Sequence, residues 1–145
     1  MTRRYCDVIA DELRVLEIVL DGPDADDEGN YVAALAELEL SEDFDQSDAF
    51  AWYLNEVVLA TTVYDGNEDF DADEFVGDPG RYRVVLLRTC GGPRCEMEHG
   101  HDDGGYVLVT SWEDGTRESV SVFVPTLASM LADYAAETLL ARASR

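Results

Sequence analysis

One short stretch, "CGGPRCEMEHGH", gathers four residues of metal-holding types: Cys90, Cys95, His99 and His101, spaced C-x4-C-x3-H-x-H. Thiolate and imidazole donors of this kind suit tetrahedral zinc at ~2.0–2.3 Å. A turn at 90–93 would bring Cys90 and Cys95 together, and strict alternation puts His99 on the side of Cys95. The spacing is not that of a standard finger or ribbon. Cys95 with Met97 reads equally well as the inward face of a strand, which leaves a buried cysteine pair and two loop histidines. Zinc on these four residues is the one cofactor suggested, and hydrolysis there would also require an open coordination position and a nearby base.

Carboxylates are the other reactive group in quantity. The 32 Asp and Glu residues could supply a general acid and base, but no spacing singles out a pair, and solvated carboxylates keep ordinary pKa values. The stretch "DGNEDFDADE" has the ligand types of a calcium loop without Gly at its sixth place or Glu in register at the twelfth. Cys6 has no evident partner and reads as structural. No phosphate loop, Ser-His-Asp order or nucleotide fingerprint is present, so no enzymatic activity is expected.

The elements that would position these groups follow from hydrophobic period. Tyr5, Val8, Ile9, Leu13, Leu16 and Leu20 recur at helical spacing between Thr2, a suitable N-cap, and the stop signal "DGP" at 21–23. Tyr31, Leu35 and Leu38 predict a second helix over 31–40, and Ser47 is placed to cap a third through "DAFAWYLNE". From Val57 the residues turn β-branched. Strands are expected at "VVLATTVY", at "RYRVVLLRT" with both faces largely buried, at "RCEMEH", at "YVLVTSW" and, after the turn "EDGT", at "RESVSVFV". Pro125 ends the sheet, and Leu127, Met130, Leu131, Tyr134, Thr138 and Leu139 predict a final helix over 126–142 that must lie across the sheet. The fold class is α+β: N-terminal helices, an antiparallel meander of four to five strands and a C-terminal helix packed on it. One domain is expected, with an acidic helical part over 1–56 and the sheet plus last helix over 57–145.

The net charge is −22, with ten Arg and no Lys. Residues 1–80 hold 23 acids and three Arg, whereas residues 81–145 hold nine acids and seven Arg. A chain of this charge is repelled by nucleic acid and by anionic membrane. No uncharged run approaches the ~20 residues of a bilayer span, and three cysteines point to a reducing cytoplasm. Salt adaptation would acidify every exposed face, so the concentration of charge in one half favours a localised negative surface. A halophilic or merely acidic host is the competing explanation, and a halophilic origin predicts unfolding at low salt.

The order "LLRTCGGPRCEMEH" followed by "YVLVTSWEDG" resembles a group of small acidic proteins encoded by phages and mobile elements. The matching positions are Cys90, Gly91, Gly92, Pro93 and Trp112, with "YLNEVVLATTV" at 53–63 similar to the group's first helix-to-strand passage. The resemblance covers about residues 50–140 and implies a context, a mobile element acting on a host cell, rather than a mechanism. The N-terminal helices and Cys95 depart from it.

Acids spaced as in Asp7 and Asp11, Asp43 and Asp45, or Asp69, Asp71 and Asp73 lie about 5–7 Å apart on a helix or strand and can imitate part of the field of DNA, which carries one charge per ~1.7 Å of axis. The expected function is therefore that of a DNA mimic of anti-CRISPR or antirestriction type. It would bind, stoichiometrically, the basic groove of a host defence nucleoprotein or nuclease. The expected contacts are Asp43, Asp45, Asp48, Asp65, Glu68, Asp69, Asp71, Asp73 and Glu74, with Phe44, Phe50, Trp52, Phe70 and Phe75 as apolar anchors among them. A small zinc-stabilised structural or regulatory domain is the alternative.

Overall fold

The structure is a computed structural model that describes residues 5–23, 28–65, 82–88, 94–100, 103–113 and 115–143. Helix α1 (Tyr5–Asp21) buries Cys6, Ile9, Ala10, Leu13, Leu16, Val19 and Leu20. Its stripe is rotated from the expected one, because Val8 lies outside it in solvent and Cys6 lies within. Gly22, at φ 84°, ends the helix by donating its amide to the carbonyls of Ile18 and Val19, a left-handed stop that glycine adopts without steric penalty.

Helix α2 (Glu28–Glu37) ends three residues before the expected limit. Leu40 N bonds back to Leu35 O at 2.8 Å, and Glu39 occupies the left-handed position at φ 60°. Glycine is the usual residue there. A 3₁₀ turn, Gln46–Asp48, leads into α3 (Ala49–Trp52) and a π turn over Tyr53–Val57. The expected cap Ser47 is corrected to Asp45, whose carboxylate accepts the Ser47 amide at 3.0 Å. Val57 and Val58 are not strand residues, since the Val58 amide reaches five residues back to Tyr53 O and keeps the chain in the π turn.

Five strands, β1 (Ala60–Asp65), β2 (Tyr82–Arg88), β3 (Arg94–Gly100), β4 (Tyr106–Glu113) and β5 (Thr116–Phe123), form one antiparallel sheet in sequence order. Gly115 turns the β4–β5 hairpin at φ 79°. The register aligns Val63, Val84, His99 on one face, then Leu86, Met97, Val109, Val120. Helix α4 (Pro125–Ala143) covers this face over β1 to β3 and α1 covers it over β4 and β5. Leu127, Leu131, Ala135 and Leu139 of α4 are buried, each leucine contributing about 1.5–3 kcal/mol by leaving water. The fold is therefore α+β, with the C-terminal helix packed on an antiparallel sheet.

On the opposite face of the sheet, no described helix packs. Strand β2 was expected to be buried on both sides, but only Tyr82, Val84 and Leu86 are enclosed, while Arg83 is exposed and Val85 and Leu87 are half-exposed. Apolar content alone suggested a second cover, and among the described residues no helix supplies one.

The N-terminus of α4 is capped from a distance. The buried Glu17 carboxylate of α1 accepts the amides of Thr126 and Leu127 at 2.8 Å each, and the Thr126 hydroxyl donates to Asp21. Four amides at a helix start lack intrahelical partners, and two of those here are answered 109 and 110 residues away.

Candidate functional site

The described part of the acidic surface is built on residues 37–56. Glu37, Glu39, Glu42, Asp43, Asp45, Asp48 and Glu56 are all exposed, and residues 15–80 contain no Arg or Lys. Short turns fix them. Ser41 Oγ accepts the Asp43 amide at 3.1 Å, Phe44 N bonds Ser41 O at 3.0 Å and Asp48 N bonds Asp45 O at 2.9 Å. Gln46 ties this run to the end of α1 by donating Nε2 to Leu20 O at 2.6 Å. The Ser47 hydroxyl and then its amide hold the Asp45 carboxyl below the usual carboxylate range, so its negative charge persists into acid.

Of the expected contacts, Asp43, Asp45 and Asp48 thus come together on one braced segment. Asp65 closes β1, and Glu68, Asp69, Asp71, Asp73 and Glu74 lie outside the described residues. Asp11, of the Asp7–Asp11 pair, meets Arg14 at 2.6 Å. The expected anchors Phe44, Phe50 and Trp52 are half-buried and packed on the core, Phe44 edge-on to Trp52 at 6.0 Å and Phe50 to Tyr134 at 6.3 Å. They brace the surface more than they project from it. Phe50 also lines a groove of about 630 Å³ beside β1, with Leu54, Leu59 and Tyr134 on its walls and Glu137 at its lip. Phe70 and Phe75 lie outside the described residues.

The cations are placed elsewhere. Arg83, Arg94 and Arg117 stand on the open face of the sheet, Arg83 over Tyr64 at 4.8 Å and the other two over Trp112 at 5.8 and 5.9 Å. Among the described residues, the open face thus carries three arginines against Glu96 and Glu98, whereas the segment 37–56 carries carboxylates alone.

The structure does not assemble the described half of the zinc set. Cys95 and His99 both point into the core, but four residues of strand separate them by about 13 Å. His99 is buried with both ring nitrogens engaged. Nδ1 lies 2.8 Å from Tyr106 O, which can only accept, so Nδ1 donates, and Nε2 bonds the Tyr82 hydroxyl at 2.9 Å. Burial, and secondarily Cys6, pushes the Cys95 thiol up to about 12. The separation of Cys95 from His99 is too long for the two side chains to share one ion, and His99 is a core residue rather than a loop histidine. Cys90 and His101 lie outside the described residues, among which no cluster of three or more His, Cys, Asp or Glu is suited to a metal.

Sequence reasoning missed the polar network under the acidic rim. Arg88 donates to Glu12 through Nη2 at 3.0 Å and Nε at 3.3 Å, and Tyr53 donates its hydroxyl to Glu12 Oε2 at 2.7 Å. Burial, then the Glu12 charge, pushes the Tyr53 hydroxyl well above its ordinary value. The network floors a cleft of about 230 Å³ with Glu37, Glu39 and Trp52 at its edges. Its signal was Arg88 itself, a cation at inward parity after Tyr82, Val84 and Leu86.

No family model, curated protein or solved structure matches the chain at a significant level. No described helix is long and apolar enough to cross a membrane.

Proposed function

We propose that this protein is a stoichiometric acidic inhibitor that occupies the basic groove of a nucleic-acid-binding protein or nuclease, of the kind used in host defence. The observation that carries the reading is the braced run Glu37 to Asp48. It presents six exposed carboxylates, and no cation occurs anywhere from 15 to 80. Charge held on turns is pre-organised, so little side-chain and loop order remains to be imposed on binding. The field would steer a basic partner at rates that fall as salt screens it. The mobile-element context implied by the sequence resemblance at Cys90, Gly91, Gly92, Pro93 and Trp112 fits such a role.

The test is capture from host lysate on immobilised protein at two ionic strengths, beside a variant carrying Asp43→Arg and Asp48→Arg. Asp45 is spared because it caps a turn. The expected result is a nuclease or nucleoprotein that is released as salt rises, is lost with the variant and is displaced from its DNA by the wild-type protein. Equal capture by the variant, or a partner still bound to its DNA, overturns the proposal.

A further inference from the structure

We infer that the open face of the sheet is the surface through which two copies of this chain associate. The face is a continuous layer without a helical cover among the described residues. Exposed rings mark one end, where Tyr106 and Phe123 pair across β4 and β5 with centroids 5.1 Å apart. Half-buried Val85, Leu87, Leu108 and Trp112 run through its middle.

Its charge differs from that of the rest of the molecule. Arg83, Arg94 and Arg117 face Glu96 and Glu98, one positive charge in excess on a chain of −22. Arg94 pairs with Glu96 at 2.6 Å and Arg83 with Glu98 at 3.3 Å. Two copies meeting elsewhere would bring acidic surfaces together. Meeting here, they oppose near-neutral faces of arginine, carboxylate and ring, and turn their helical sides outward. A two-fold axis near the central strand β3 can set one copy's arginines towards the other's carboxylates, the kind of self-complementarity an isologous contact uses.

The area suffices. Five strands about 4.8 Å apart and seven residues long span about 550 Å², so a pair buries about 1,100 Å², above the ~1,000 Å² that separates specific interfaces from casual ones. A single-stranded nucleic acid would also find rings and arginines on such a sheet. Glu96 and Glu98 on the central strand, and the field of the whole chain, oppose its phosphates. A second copy is the better fit.

The inference goes beyond the inhibitor reading and stands apart from it in its salt dependence. Capture of a basic partner weakens as salt rises, whereas association of two like-charged chains strengthens. Sedimentation velocity of the purified chain, from about 50 to 500 mM salt, is expected to show a species of twice 16.1 kDa that grows with salt. Leu108→Glu, and separately the milder Tyr106→Ala with Phe123→Ala, should weaken association by about tenfold or more with unchanged circular dichroism. Asp43→Asn on the helical side should leave it intact. A monomer under all conditions overturns the inference, as does a dimer indifferent to both face variants. So does binding of an oligothymidylate probe that dissociates the dimer.

Discussion

Arg88 on β2 holds Glu12 on α1 with two nitrogens across 76 residues of sequence. The pair is mostly enclosed, and the Tyr53 hydroxyl shares the same carboxylate. Glu12→Ala leaves a guanidinium and a hydroxyl without their acceptor, and should cost about 2–4 kcal/mol in urea unfolding. Replacing both, Glu12→Leu with Arg88→Met, should cost less than the two single changes added together.

Glu17 gives a pH dependence whose sign is fixed by burial. Desolvation raises its pKa above the ordinary 4.5, the amides of Thr126 and Leu127 pull it back in part, and Asp21 adds to the rise. The folded state therefore holds this proton more tightly than the unfolded chain, and its contribution to stability is full below 4.5 and lost as pH rises through the elevated value. Urea midpoints of wild type and Glu17→Gln should show the wild type losing ground across that rise. A constant difference between about pH 4 and pH 8 would refute it.

Glu39 sits at φ 60° where α2 stops. Glu39→Gly relieves the left-handed strain and should add about 0.5–1 kcal/mol of stability in thermal or urea unfolding, while Glu39→Ala, which keeps the Cβ, should not.

Cys95, with its thiol at about 12, is roughly 0.01% thiolate near pH 8. Peptide mapping after alkylation should find it unmodified in the native protein and modified after urea. Rapid native labelling at Cys95 would contradict its place in the core.

The sequence carried most of the fold because two periods dominate it. Cys95, Met97 and His99 alternate with charged residues, and this alone places them inward. The last helix was equally plain from Leu127, Leu131 and Leu139. The interactions that join distant elements left weaker traces. Nothing near Glu17 marks it as a cap for residues 126 and 127, and Ser47 and Asp45 are both good cap types that only geometry tells apart. Val85 and Leu87 suggested a second cover for β2 that no described helix supplies, since an apolar side chain at a half-exposed strand position looks the same in sequence as one in a core. The acidic surface was legible as a charge imbalance. Its bracing by Ser41, Gln46 and Asp45 was not, because backbone turns are not written in composition.

The clasp of Glu17 on the start of α4 has a consequence for how the molecule is made. All five strands are synthesised before residues 125–143, so β1 to β3 keep their oily side wet until the final helix arrives. Only then can α1, made before the sheet, release water from its carboxylate and lock the lid. Until that moment the nascent chain exposes the core side of β1 to β3, a form in which strands of neighbouring chains adhere readily.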